Sequence, residues 1–422
     1  MSEWKEYKLG EICKVKGGKR LPKGNNLTTV PNSHPYIRVR DMGEKYLPIN
    51  NLEYVPNEIF PSIKNYIVDK GDLLLSIVGT VGLVSLVNDE LDKASLTENC
   101  VKIIPQKDII DNEFLYYFLK SNIGQEEIFR KIVGAVQPKL PIYNINDIGL
   151  NIPDLPTQTA IAEILSSLDD KMELNNKINQ ELENLAQTLF KRWFIDFEFP
   201  NENGEPYKSS GGEMVDSELG EIPKGWVYGN LNQIANLSKL NVKPFENPND
   251  FYYHYSLPEF DSGKIPSRDL GATILSSKYQ VLEHSILVSK LNPRIPRIWT
   301  VLNPIKNSIC STEFQVMKPI KIEYFPFVNY LCLSGEYLNS IQSKVTGTSS
   351  SHQRVNPKDI INFPLALPPD SIVNQFFKTV YEQMVMIDNN RIENIQLTNL
   401  RDTLLPKLIS GELEVSQTQS IS

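Results

Sequence analysis

The sequence predicts an α+β chain in which two strand-rich globular domains are separated by two long antiparallel helices, a coiled coil, with a pseudo-two-fold internal repeat. Three observations predict it. The same landmarks occur twice, short apolar runs rich in β-branched residues fill the early part of each copy, and a heptad-spaced stripe fills the late part.

The landmarks begin with a tryptophan near the start of each copy. Trp4, Leu9 and Ile12 are matched by Trp226, Leu231 and Ile234 at an offset of 222. "YIVDKGDLLLS" (66 to 76) resembles "YQVLEHSILVS" (279 to 289), and Thr97 and Glu98 match Thr312 and Glu313. Asn175, Asn176 and Ile178 return as Asn389, Asn390 and Ile392, followed by the pairs Asn184-Leu185 with Asn399-Leu400 and Thr188-Leu189 with Thr403-Leu404. A slowly wandering offset over five landmarks marks two copies of one module. The predicted segments are a strand-rich domain at 1–155, a helix at 156–195, a linker at 196–222, a second strand-rich domain at 223–369, and a second helix with the C-terminal segment at 370–415.

Within the strand-rich domains, "DLLLSIVGTVGLVSLV" (72 to 87) and "SILVSKLN" (285 to 292) read as strands broken by Gly and Asn. The Gly-x-x-Gly inside the first is a turn between strands, because neither Lys-Ser/Thr nor a helix follows it. "NEFLYYFLKSN" (112 to 122) reads as a short helix. After "IPDLPTQ" the period changes. Ile161, Leu165, Leu168, Met172, Asn175, Asn179, Leu182, Ala186, Leu189 and Trp193 step by four and three, a seam roughly 50 Å long at 1.5 Å per residue. In the second copy Val373, Phe377, Val380, Met384 and Ile387 keep those steps, then Arg391 enters and the register is expected to shift to Ile392 and Ile395. Asn in such a seam lowers stability but fixes register. Antiparallel pairing needs no long return of the chain, so it is the expected arrangement, with one strand-rich head at each end of a two-helix bar. The join from Asp196 to Glu221 holds eight acids against Lys208 alone and should lie on the surface.

Composition excludes several classes. A chain of 422 residues with 41% hydrophobic and 22% charged residues can bury more than one core. The start "MSEWKEYKLGEICK" has no apolar signal region and no later apolar run approaches membrane-spanning length, so a cytoplasmic protein with no membrane partner is expected. Cys13, Cys100, Cys310 and Cys332 stand far apart with only four histidines to help them, which argues for free thiols and no metal. The net charge of −8 opposes a polyanionic partner, yet Lys14 to Arg40 carries seven bases and no acid.

Organisation and wording together resemble one family. "LGEIPKGW" before the second copy, "IPDLPTQTAIAEILSSLDDKMELNNKIN", "FKRWFIDFEFP" and "LLPKLISGELEV" resemble stretches of type I restriction-modification specificity subunits, and the likeness covers nearly the whole chain. The resemblance implies that the heads are DNA-recognition (target recognition) domains, each reading half of a split sequence, and that the helices set the gap. It implies no catalytic residue and no cofactor in this chain. Implied partners are double-stranded DNA and two modification (methyltransferase) subunits that bind S-adenosylmethionine; whether restriction subunits using ATP and Mg join them stays open. The assembled complex would be an adenine-specific DNA methyltransferase and ATP-dependent endonuclease through those partners.

Side chains that reach base edges and phosphates are Arg, Lys, Asn, Gln, Ser and Thr on loops. The candidates are Lys14, Lys16, Lys19, Arg20, Lys23, Arg38, Arg40, Gln137 and Lys139 in the first head. In the second they are Lys278, Lys290, Arg294, Arg297 and, from "TGTSSSHQR", Ser349, Ser350, His352, Gln353 and Arg354. Against this stands the plainer reading of solvated charge, and direct readout is expected first of the arginines, whose planar fork binds guanine bidentately. The loops "GAVQPK" and "TGTSSSHQR" both precede the helix approach and are expected to be equivalent. An amino-methyltransferase in this chain is not expected, since "NPRIP" and "LPPDS" lack the Asn/Asp-Pro-Pro-aromatic turn. The alternative from another class is a non-catalytic coiled-coil scaffold without DNA specificity, whose binding would be insensitive to salt and sequence.

Overall fold

The computed structural model describes residues 4–345 and 353–415. It divides into two compact units, one formed by Met1–Leu174 with Glu393–Ser422 and the other by Asn175–Ile392. The division falls inside both long helices, Leu155–Phe190 and Asp370–Ile409, so each unit takes a half of each.

In unit 1 an antiparallel sheet runs in the order Cys13–Gly17, Cys100–Pro105, Leu73–Ser76, Val84–Leu86. Leu73–Ser76 is buried on both faces, and its period of two sorts its side chains between two cores. Leu73 and Leu75 face the helices with Leu9, Phe114 and Tyr117, while Leu74 faces a second cluster with Ile37, Leu47 and Val68. The Gly-x-x-Gly is the hairpin loop after this strand: Gly79 and Gly82 take left-handed φ of 85° and 96°, and Ser76 Oγ accepts from Leu83 N at 2.9 Å. The helix Asn112–Lys120 begins at Asp111, whose carboxylate accepts from Glu113 N and Phe114 N. Gln158 explains "IPDLPTQ": its buried amide donates to Ile109 O and Pro153 O and accepts from Asp111 N, fixing the start of the long helix to the head.

Unit 2 repeats the plan. Its sheet runs Ala235–Ser238, Phe314–Pro319, Ser285–Ser289, Ile298–Val301, with Ile286 and Val288 in one core and Leu287 in the other. The registers Leu73↔Ile103 and Ile286↔Met317 are the same pairing displaced by one copy. One landmark shifts. Cys100 N bonds to Thr97 O and Phe314 N to Ser311 O, so the backbone partner of Thr97 is Ser311 rather than Thr312. The two turns are equal in length, Thr97 to Cys100 and Ser311 to Phe314, so alignment by identical letters is one residue out here.

The helices pair antiparallel within each unit. In unit 1 Arg401 Nη1 lies 2.9 Å from Asp169 Oδ1, Thr398 Oγ1 is 3.2 Å from Met172 S, and Lys171 pairs with Glu393 at 3.3 Å. In unit 2 Asn390 Nδ2 donates to Asn179 Oδ1 at 2.8 Å, and Phe376 packs on Phe190, Trp193 and Phe194. The described ends meet in unit 1, where Gly411 lies against the Trp4 ring. Of the predicted seam, Leu165, Asn175, Val380, Met384 and Ile387 are buried and Leu168, Met172, Leu182 and Leu189 half-buried. Two expectations are corrected. Phe376, not Phe377, is the fully buried member; Phe377 is half-buried and stacks on Tyr381. The register does not move to Ile392 and Ile395, which are 46% and 37% exposed, because the original register continues through half-buried Arg391, Asn394, Thr398 and Arg401.

The acidic join lies at the surface as expected, but it is anchored: of residues 196–222 Phe199 and Ile222 are buried in the core of unit 2, and Met214–Ser217 pairs with Gly220–Pro223 as a hairpin. The acids point outward while a few aromatic side chains anchor the segment.

Candidate nucleic-acid interface

In unit 1 four loops gather at one end of the four-stranded sheet because backbone bonds tie them there. Gly18 N donates to Cys100 O at 3.1 Å and Lys19 N to Leu96 O at 2.8 Å. Ile77 N reaches Asn99 O, Leu140 N reaches Ile77 O, and Val133 and Lys139 exchange a pair of bonds at 2.8 and 2.9 Å. Gly18 is required in this place, since a Cβ there would collide with the Thr97 carbonyl.

The sequence candidates divide by what holds them. Lys14 and Lys16 project from the edge strand Cys13–Gly17 and are exposed, as are Lys19, Lys23, Gln137 and Lys139. Lys19 Nζ stands 5.6 Å from the centroid of the Tyr66 ring. Arg20 is exposed but pairs with Glu98. Arg40 meets Glu53 at 3.0 Å, and half-buried Arg38 pairs with Glu53 and lies 3.7 Å from Asp41. Burial pushes the Asp41 carboxyl pKa up despite Arg40 beside it.

Unit 2 builds the same corner. Lys290 N donates to Glu313 O, Val355 N to Lys290 O and Asn292 N to Gln353 O, with Leu291 bridged to Arg354. Val78 is bridged to Lys139 in the same way in unit 1, so Lys139 and Arg354 occupy equivalent places. Arg354 pairs bidentately with Glu313 at 3.0 and 3.2 Å, and Arg297 with Asp261 at 2.7 and 2.8 Å. Lys290 is half-buried; Arg294 is exposed, and among the described residues no carboxylate pairs with it. Lys278 is corrected: it is 8% exposed, its ammonium is held by Ser276 O and Oγ, and burial lowers its pKa. Ser349, Ser350 and His352 lie outside the described residues.

One group escaped the sequence reading. Arg268 lies 3.8 Å over the exposed Phe251 ring on the paired strands Phe251–Tyr255 and Ser267–Leu270. The signal was alternation in "FYYHY" facing "SRDL", which puts side chains two residues off register within reach.

The histidines and cysteines of the described residues are engaged elsewhere. His254 is held by Asp269 at 3.1 Å and His284 by Tyr381 at 2.7 Å. All four cysteines are buried, with thiols pushed up to about 12. Among the described residues no three or more His, Cys, Asp or Glu side chains are placed to hold a metal, and no described helix is long and apolar enough to cross a membrane.

Known proteins share this arrangement. A family described as the type I restriction modification DNA specificity domain matches residues 1–184. The HindI specificity subunit of Haemophilus influenzae is 26% identical over 98% of this chain and 100% of its own length. The MjaIX specificity subunit of Methanocaldococcus jannaschii is 27% identical over 98% and 94%. In fold, the crystal structure of a type I restriction-modification S subunit from M. genitalium is similar, with a TM-score of 0.63 at 16% identity over 96% of each chain. With its duplicated head-and-helix module, the chain is similar over nearly its whole length to specificity subunits of type I restriction-modification systems.

Proposed function

We propose that this chain supplies the sequence specificity of a type I restriction-modification complex. Each strand-rich unit reads one half of an asymmetric, bipartite double-stranded DNA target; the long helices set the spacer and dock two modification subunits. The observation that supports this best is the pair of equivalent loop corners bearing unlike side chains: Lys19, Gln137 and Lys139 in one, with Lys14 and Lys16 on the adjoining edge strand, and Arg294 and Arg354 in the other. One frame with two chemistries is what two different half-sites require.

Lysines on the edge strand are suited to phosphates, which position the protein; Gln137 and Arg294 are suited to base edges. Exposed ion pairs are worth about 0–1 kcal/mol, so Arg20 and Arg354 exchange Glu98 and Glu313 for phosphate or guanine at little cost. Arg38 and Arg297, whose side chains are 22% and 12% exposed, stay with their carboxylates and hold loops in place. In this reading the chain contributes no catalytic residue. S-adenosylmethionine belongs to the modification subunits, ATP and Mg to a restriction subunit, and adenine methylation and DNA cleavage to the assembly.

The test is methylome sequencing of a methylation-free host expressing the cognate modification subunit with and without this chain. A split asymmetric motif of methylated adenines that needs this chain is the expected result. Methylation unchanged by its omission, with the partner active, refutes the reading and leaves the scaffold alternative.

A further inference from the structure

The two copies treat their landmark tryptophans differently. In unit 2 the residues that leave the first long helix turn back over Trp226. Phe199 stacks on its indole with centroids 5.3 Å apart, Phe197 meets it edge-on at 5.4 Å, and Tyr207 stacks on Phe199 at 4.6 Å. Trp226 is buried as a result. In unit 1 Trp4 holds the corresponding place, before the strand Lys5–Lys8 as Trp226 stands before Val227–Asn230. The second long helix also leaves in the same manner: Ile195 and Ile409 are each followed by one residue and then by a left-handed one, Phe197 at φ 60° and Gly411 at φ 76°.

Here the copies part. Gly411 offers no ring, Leu413 is exposed, and residues 412 to 422 include no aromatic side chain. Trp4 is half-exposed beside a cleft of about 660 Å³ whose apolar wall is Phe118, Ile123, Leu150 and Ile409, with Glu6 on its polar side together with Glu127, one oxygen of which is held by Arg130 at 2.7 Å. The repeat therefore displays, in unit 2, the kind of segment for which this cleft in unit 1 is shaped.

We propose that the Trp4 cleft seats an extended segment of a partner chain. The segment carries two aromatic side chains one residue apart, as Phe197 and Phe199 are, and a basic residue facing Glu6 and Glu127. A second copy of this chain is not the donor, because its own Phe197 and Phe199 are already seated on Trp226, with Tyr207 stacked on Phe199. The inference rests on the reading of this chain as one subunit of an assembly. It adds a contact away from the basic corners and dependent on aromatic rings rather than on helix pairing.

The probe is a fluorescein-labelled peptide of residues 194–208 carrying D196K and E198K, titrated with the full chain by anisotropy. Saturable binding is expected, weakened about tenfold or more when Phe197 and Phe199 of the peptide are alanine, and equally by Ile123→Glu in the protein, where the side chain is exposed. Should Ile123→Glu fail to fold, Glu127→Lys serves: it should weaken the lysine peptide and strengthen the unsubstituted acidic one. Binding indifferent to the phenylalanines, or to both protein variants, overturns the proposal. So does binding that appears only after residues 416–422 are removed, which would give the cleft to the chain's own segment. Bipartite methylation by the assembled complex is scored separately, so loss of one reading is distinguishable from loss of the other.

Discussion

Replacing Arg401 by Leu should loosen unit 1 far more than the removal of one surface charge would. Arg401 Nη1 meets Asp169 Oδ1 at 2.9 Å, Tyr117 Oη donates to Asp169 Oδ2 at 2.7 Å, and Arg401 also reaches Asp402 at 2.8 Å. The Asp169 side chain is 10% exposed, so without the guanidinium a carboxylate remains in a place of poor hydration with one phenolic partner. Removing one partner of a buried pair costs about 3–5 kcal/mol. Arg401 is itself 26% exposed and water can enter beside it, which lowers the expected loss to about 2–3 kcal/mol. Tyr117→Phe deletes only the hydrogen bond to a charged acceptor, about 1.5–3 kcal/mol. The double variant Arg401→Leu with Asp169→Leu should recover about 1–2 kcal/mol of the first loss, because the charge is gone with its partner. Amide hydrogen exchange over Phe114–Leu119, in the helix that packs on this cluster, reads the change without requiring both units to unfold together. Additive effects of Arg401→Leu and Asp169→Leu would show that the two do not act as a pair and would refute the reasoning.

Other outcomes follow from particular neighbours. Gly18→Ala should destabilise unit 1 by about 3 kcal/mol or more, since a Cβ meets the Thr97 carbonyl, and a thermal scan should show one unit losing stability. Lys14→Ala with Lys16→Ala should weaken DNA binding by the assembled complex uniformly over sequences and reduce the slope of log K against log salt by about 0.9 for each phosphate no longer neutralised, read from titrations at several salt concentrations. His254 and His284 both have pKa values lowered below 6.5, chiefly by burial, so unit 2 favours their neutral forms. Their contribution is full above about pH 6.5 and is lost as the pH falls through the lowered folded values. Hydrogen exchange at pH 7.5 and 5.5 should therefore show acid sensitivity in unit 2, reduced by His254→Gln.

Much of the architecture was legible because it is written in periodic or repeated letters. Leu73, Leu74 and Leu75 stand in a short apolar run ended by Gly, which reads as a strand, and Asn175 and Asn389 marked the same helix twice. The misses have physical causes. In Phe376-Phe377 two equal hydrophobes adjoin, and a period of 3.5 cannot choose between them; Trp193 and Phe194 across the helix pair do. The expected shift to Ile392 and Ile395 followed the apolar letters, whereas Asn390 bonding to Asn179 and Arg401 to Asp169 keep a polar register. The join after Asp196 lies at the surface as its acids suggested, but its anchoring by Phe197, Phe199 and Tyr207 was not read. At the loop corners charge was legible and pairing was not: Asp261 lies 36 residues before Arg297, and nothing local links them.

The split of unit 1 over two distant stretches has a consequence for how the chain comes into being. Unit 2 is one uninterrupted stretch, Asn175–Ile392, and all its core partners have been synthesised once Ile392 has been added. Unit 1 begins earlier but needs Leu405, Leu408 and Ile409 to close the core around Leu9 and Phe114. During synthesis the first head therefore waits with an apolar face uncovered while the second is made and folds, and it is completed last. A stop codon shortly after Ile392 would leave the later half of the gene's product sound and the earlier half unfinished, the reverse of what truncation ordinarily does.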